Sequence, residues 1–185
     1  MQELNNHNFN HLKIHTQYSI CEGAIKIEKL KDFCKENKIP CVGLSDTSNL
    51  CGALEFAENI SKIGTQPIIG TQIYFKFEDT NGLLPLIALN EKGYKRIIEL
   101  SSKSYLENET LSDPHLNIKE LLVETEGVLI LSGTIHGLFG KLFEKGRLEE
   151  IKRIYKDLSF KFKDNFYLEI QRHGDQNEVA FEKFN

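Results

Sequence analysis

No Cys-x-x-Cys pair occurs among the four cysteines, Cys21, Cys34, Cys41 and Cys51, and two of them fall in apolar stretches that read as core. That spacing argues against a zinc knuckle or a disulfide framework and for reduced thiols in a cytoplasmic protein. Long apolar runs are missing too: nothing approaches the ~18 consecutive residues of a membrane span. The opening MQELNNHNFN lacks a basic segment followed by an apolar one, so neither export nor membrane insertion is expected. Nor is there an excess of basic charge. With 23 Lys and Arg against 27 Asp and Glu, net charge −4 and a pI near 5.9, the chain is a poor candidate for tracking a phosphate backbone by itself. The runs EKGYKR and RLEEIKRIYKD mix signs at helical spacing, which marks solvated faces and identifies no partner.

What is present suits one α/β domain. A chain of 185 residues can bury roughly 70% of the surface it exposes when unfolded. Residues 9–16, FNHLKIHT, alternate so that Phe9, His11, Lys13 and His15 share one face of a strand and Leu12 and Ile14 the other. Residues 24–37 carry Ile27, Leu30, Phe33 and Cys34 at helical spacing, with Pro40 as a stop signal. A strand over 41–45 and a helix over 53–63, with Gly64 as its C-cap, follow. Next come PIIG and QIYFKF, then LLPLIAL across a turn in which Asn81-Gly82 is the hairpin signal and the acidic flanks suggest a loop longer than two residues. The pattern predicts a helix over 91–106 with Tyr94, Ile97, Ile98 and Tyr105 inward, and a surface loop over 107–117. Beyond these it predicts a short helix over 118–123, a strand over 128–131, a short helix over 138–143, an amphipathic helix from Leu148 and a strand over 166–170. Strands alternating with helices favour a mainly parallel sheet or barrel. Residues 177–185 read as the start of a helix with no strand to receive it, which suggests a fragment of something longer.

The stretch 41–56, CVGLSDTSNLCGALEF, delivers Asp46 to the end of a strand, where α/β folds hold ligands and metals. The alternative is a turn cap, the carboxylate accepting the N–H groups of Ser48 and Asn49. Other titratable groups are weaker candidates. Arg172 and His173 in QRHG sit at a strand end and can either meet a phosphate or stabilise a turn. His11 reads as a satisfied core histidine, His7 precedes the fold, and His115 and His136 have no acidic or Cys neighbour at ligand spacing. Phe56, Tyr94, Phe139, Phe143 and Tyr155 fit helix stripes and read as core, not as base-stacking platforms.

Six strings, HLKIHTQYS, GLSDTSNLCGALEF, PIIGTQIY, ALNEKGYKRIIEL, GVLILSG and YLEIQRHG, occur in the order and at the intervals of a known family. From about Phe9 to its end the chain resembles the N-terminal PHP (polymerase and histidinol phosphatase) domain of bacterial DNA polymerase III alpha subunits. The resemblance implies a distorted (β/α)7-type PHP barrel, here incomplete at its C-terminus, with residues 1–8 as an arm and 9–185 as the domain. Active members gather His, Asp, Glu and Cys side chains around metal ions that activate water for phosphoester hydrolysis.

Carried over position by position, the likeness implies a depleted site. Lys13 stands first in a His-x-His motif that keeps only His15. Asp46-Thr47 replaces Asp-His, Gln72 follows Gly70-Thr71 where a Gly-x-Glu ligand belongs, Leu83 takes a His position on the hairpin, and Thr134 takes the Cys after Ser-Gly. His15, Asp46 and Glu22 are what survives, enough at best for a weakly held divalent ion (Mn, Zn or Mg), whereas a catalytic centre needs about three protein ligands. No catalytic residue and no resident cofactor are therefore expected. Lys13 is expected to fill the space left by the cations and to pair with Asp46, because a buried unpaired carboxylate costs several kcal/mol; the open alternative has Lys13 in solvent and Asp46 capping a turn. On this reading the chain is a metal-poor structural and docking module. Its parent, by resemblance, is a cytoplasmic DNA-directed DNA polymerase of replication, a nucleotidyltransferase. Its partners are the rest of the alpha subunit and the proofreading exonuclease subunit, with DNA reached through the parent. The competing class is a divalent-metal phosphoesterase or 3′–5′ exonuclease with a reduced site.

Overall fold

The computed structural model describes residues 9–108 and 113–185. The expected arm, residues 1–8, and part of the expected loop, residues 109–112, lie outside the described residues.

Helix α1 (Ile27–Glu36) buries Ile27, Leu30 and Cys34 and leads into strand β1 (Cys41–Thr47). Helix α2 (Ala53–Ser61) buries Ala53, Phe56 and Ile60, then unwinds through a turn to Gly64 at φ +80°. These three elements close over one apolar cluster that also takes Val42 and Leu44.

Strand β2 (Gln66–Phe77) runs without a break through PIIG and QIYFKF and turns back into β3 (Thr80–Ala88). The turn is Glu78–Asp79, since Phe77 faces Thr80, and Asn81-Gly82 belong to the strand. The expected longer loop is thus a two-residue one, moved toward the acidic pair, where Arg147 and Lys145 donate to Asp79 at 2.8 and 3.0 Å. Gly82 is needed for a different reason: a Cβ there would stand 2.4 Å from the backbone N and Cα of Leu138.

Helix α3 (Glu91–Leu106) starts at Asn90, whose side chain accepts from Gly93 N at 3.0 Å. Its buried stripe is Gly93, Arg96, Ile97, Leu100 and Ser104. Ile98 and Tyr105 are exposed instead, because Arg96 takes the inward position and satisfies the carbonyls of Glu120 and Glu124. A short β4 (Leu116–Asn117), a 3-10 turn over Ile118–Leu122 and β5 (Val128–Leu131) follow. After them come α4 (Leu138–Glu144), α5 (Leu148–Phe162), β6 (Phe166–Tyr167) and α6 (Glu178–Phe184).

The sheet order is β1-β2-β3-β5-β6, with β4 beside β2. It is mixed, not mainly parallel: β1 and β2 are parallel, as are β5 and β6, but the β2–β3 hairpin makes two antiparallel joins. The helices α3, α4, α5 and α6 cover its larger core, with Phe75, Phe139, Leu142 and Phe162 at the centre. Phe56 and Phe139 are fully buried, as the stripes require, while Tyr94, Phe143 and Tyr155 are half-buried.

Residues 9–16 form no continuous strand. They lie along β1 through single bridges, Ile14 to Leu44, with His11 O accepting from Gly43 N at 2.7 Å and Ile14 O from Ser45 N at 2.8 Å. The expected strand over 166–170 likewise pairs only at Phe166 and Tyr167; Leu168 and Ile170 leave the sheet and stay exposed.

Candidate functional site

The segment at residues 13–15, the middle of the hairpin and the loop after β5 meet on one side of the sheet. There Lys13, His15, Gln72, Leu83 and Thr134 line a single cavity of about 170 Å³ together with Pro85, His136 and the glycines 133 and 137. Positions from three separate stretches, 13–15, 72–83 and 134, therefore line one cavity, while Glu22, Asp46 and Thr47 do not line it. Register explains part of this: Thr47 at the end of β1 faces Gln72, and Gln72 faces Pro85 across the hairpin.

Asp46 is not in the cavity. It is wholly buried behind it, and both carboxylate oxygens are taken: Oδ1 accepts from Thr16 N and Ser19 Oγ, each at 2.6 Å, and Oδ2 accepts from Thr16 Oγ1 at 2.8 Å. The Ser19 hydroxyl in turn accepts from Thr47 N at 3.1 Å. Neither earlier reading of Asp46 survives. It does not cap the following turn, where Ser48 N donates to Gln72 O at 2.7 Å, and it does not pair with Lys13. It locks the loop after residue 15 onto the end of β1. Charge-assisted bonds to a carboxylate are the strong class of hydrogen bond, which is why three donors satisfy it without a cation.

Lys13 is turned the other way. Its Nζ lies 3.1 Å from Glu169 Oε1, the two side chains being 19% and 11% exposed. Gln171 Nε2 donates to the same oxygen at 2.7 Å, and Glu169 N donates to Ser132 Oγ at 2.9 Å. The missed residue is Glu169. The sequence pattern puts it inside a strand over 166–170, whereas that strand ends at Tyr167, so the strand-end argument that singles out Asp46 does not reach it.

The surviving polar groups form a second chain. Gln72 Nε2 donates to Thr47 Oγ1 at 2.7 Å, and the Thr47 hydroxyl donates to Glu22 Oε2. Glu22 comes within 4.0 Å of His15 Nδ1, a buried nitrogen with no hydrogen-bond partner. Burial, the largest influence, holds His15 below the ordinary imidazole pKa, against an opposing pull from Glu22. The unfolded chain therefore binds this proton more readily than the folded one, so stability tied to His15 is present above pH ~6.5 and is lost as pH falls toward the lowered folded value. The unfolding midpoint is expected to drop between pH 7.5 and 5.5, and His15→Gln to flatten that drop. Equal slopes for both proteins in thermal melts over this range would contradict the assignment.

The remaining candidates have local partners. Arg172 makes a two-pronged pair with Glu182 at 2.9 and 2.6 Å, and Glu178 accepts from the backbone N–H of His173 and Gly174, so QRHG is a turn tied to α6. His115 Nδ1 meets Asp113 O at 2.8 Å. His11 is exposed and stacks edge-on against Phe9; it is not a core histidine, because the segment carrying it only skirts β1. His136 does find an acidic partner, Asp175 Oδ2 at 2.9 Å, through a fold contact that spacing does not reveal.

Among the described residues no group of three or more His, Cys, Asp or Glu side chains is placed to hold a metal ion. The donor chemistry does not fit a resident divalent ion. The cavity presents an ammonium, an amide, a hydroxyl and hydrocarbons beside two imidazoles, His15 and His136; His136 is paired with Asp175, and the Asp46 carboxylate is spent on hydrogen bonds. All four cysteines are free thiols. Among the described residues no helix is long and apolar enough to cross a membrane.

Comparison with known proteins places these features. The chain is 35% identical over 98% of its length to the DNA polymerase III subunit alpha of Caulobacter vibrioides, 32% over 95% to that of Vibrio cholerae, and 35% over 94% to that of Rickettsia felis. It spans 17%, 15% and 14% of those proteins, about a sixth of their length. Among solved structures, an amidohydrolase from Chromobacterium violaceum matches 51% of this chain and 32% of its own, with 14% identity and a TM-score of 0.43. The pattern of the PHP domain matches residues 11–173, which takes in the cavity, the Asp46 anchor and the Lys13–Glu169 pair alike: the chain belongs to the PHP domain family.

Proposed function

We propose that the chain is the N-terminal PHP module of a DNA polymerase III alpha subunit and that it serves as a structural and docking part, not as a hydrolase. The observation that carries this reading is the side-chain content of the cavity: Lys13, Gln72, Leu83 and Thr134 at positions where metal-binding members, by resemblance, keep donors. Hydrolysis of a phosphoester by metal-bound water needs about three protein ligands and an open position. Here His15, His136 and Glu22 are the groups left to offer; His136 is engaged with Asp175 and Glu22 already accepts from Thr47. The reading includes a site degenerate by descent, at most weak affinity for Mn, Zn or Mg, and a cytoplasmic setting that suits free thiols. The partners it implies are the remainder of the alpha subunit and the proofreading exonuclease subunit, with template-directed nucleotide addition residing in the parent protein. The net charge of −4 supports contact with DNA through that parent and not through this domain.

The test is elemental analysis of the purified chain together with phosphatase and 3′–5′ exonuclease assays in added manganese or zinc. Metal well below one ion per chain and no metal-stimulated turnover are expected. Stoichiometric, tightly held metal or manganese-dependent hydrolysis that His15→Ala abolishes would instead establish the phosphoesterase reading, which the unpartnered His15 Nδ1 favours.

A further inference from the structure

The Lys13–Glu169 contact joins side chains 156 positions apart, one on the segment that skirts β1 and the other just past β6, the two ends of the sheet order. We propose that this ion pair is an internal clasp: the Lys13 ammonium takes over the bridging that a bound cation would supply and closes the site's rim with no metal. The inference rests on the metal-free reading above and adds to it a named pair of residues and a measurable coupling.

Three observations support it. The pair is mostly withdrawn from water, 19% and 11% exposed, so it is screened less than a surface ion pair. It is not isolated, because Gln171 Nε2 donates to the same Glu169 oxygen, His173 Nε2 stands 3.1 Å from Gln171 Oε1, and Glu178 holds the backbone of that turn from α6. Lys13 also has no competing partner in Asp46, whose oxygens are filled by Thr16 and Ser19. The Glu169 end is therefore held by neighbours other than Lys13, which lowers the entropic cost of forming the pair.

A double-mutant cycle in the 185-residue chain tests this, with Lys13→Met and Glu169→Gln alone and together, followed by thermal unfolding with and without a chelator. Each single change is expected to lower the midpoint by roughly 4–8 °C, because the partner charge is left partly buried and unpaired. The double variant should fall well short of the sum, and the chelator should move none of the proteins. Additive losses, or single variants that melt with the wild type, would sink the clasp while leaving the metal-free reading standing. A fall in the wild-type midpoint on chelation would overturn that reading, whatever the cycle showed. If Lys13→Met does not fold, the exchange Lys13→Glu with Glu169→Lys replaces it: recovery of the fold by the exchange, when Lys13→Glu alone fails, supports the pair, and failure of both refutes it.

Discussion

Asp46→Ala is expected to lower the stability of the chain by about 3–5 kcal/mol, a fall in the unfolding midpoint of about 6–20 °C. The reason is a count of stranded donors. Thr16 N, Thr16 Oγ1 and Ser19 Oγ all end on this carboxylate in a buried setting, and each buried donor left unsatisfied costs about 1–3 kcal/mol. The hydroxyls can turn toward other acceptors, but the Thr16 amide cannot, and Ser19 also receives Thr47 N at the end of β1. Losing the anchor therefore frees the loop that carries Glu22 as well. Asp46→Asn keeps one oxygen where Thr16 N and Ser19 Oγ converge and asks only that the Thr16 hydroxyl reverse its role. Its cost should be near 1–2 kcal/mol, the loss of charge assistance. Denaturant melts of the two variants decide the matter: an alanine variant within 1 kcal/mol of wild type would mean that the loop is held elsewhere.

Asp46 and Lys13 also show what the sequence could and could not disclose. The end of a strand is visible in CVGLSD because an apolar run stops at a polar residue, and the cavity positions 13, 15, 72, 83 and 134 were legible because the six motifs resemble a family whose geometry gathers those positions. Partner choice was not. Charge alone pairs Asp46 with a lysine, but Thr16 and Ser19, uncharged residues of the loop that follows Lys13, give it three short bonds. Glu169, 156 positions away, competes for the same ammonium. Which of two carboxylates a lysine meets depends on where β6 ends beside β5, and that pairing is two residues long, too short to leave a periodic trace. The hairpin erred for a related reason: Asn81-Gly82 is a strong turn signal, but the glycine is kept for the approach of α4 and the turn falls to Glu78–Asp79. The bounds of α3 and the start and buried stripe of α5, by contrast, are legible because one face of each is packed along its length, although Ile98 and Tyr105 of α3 face outward.

Gly43→Ala is expected to cost about 3 kcal/mol, or roughly 6–12 °C in the midpoint, although it adds one methyl group inside a strand. A Cβ at this position would stand 2.4 Å from Leu12 O and 2.7 Å from Leu12 C and Cα. Those atoms are backbone and cannot swing aside as a flexible side chain does. The segment at residues 11–14 would have to retreat, but it is tethered on both sides of the clash: Gly43 N donates to His11 O at 2.7 Å and Ile14 N to Gly43 O at 3.1 Å. Retreat breaks these bonds and shifts Lys13 away from Glu169, so in the Gly43→Ala background the clasp's coupling should vanish while Phe56 and the α1–α2 cluster stay packed. Gly64→Ala is the control, since nothing stands within 4 Å of its added Cβ and only the φ of +80° is unfavourable. That change should cost about 1 kcal/mol. Equal losses at the two glycines would mean that backbone preference, and not the close passage of the first segment over β1, sets the requirement for glycine at residue 43.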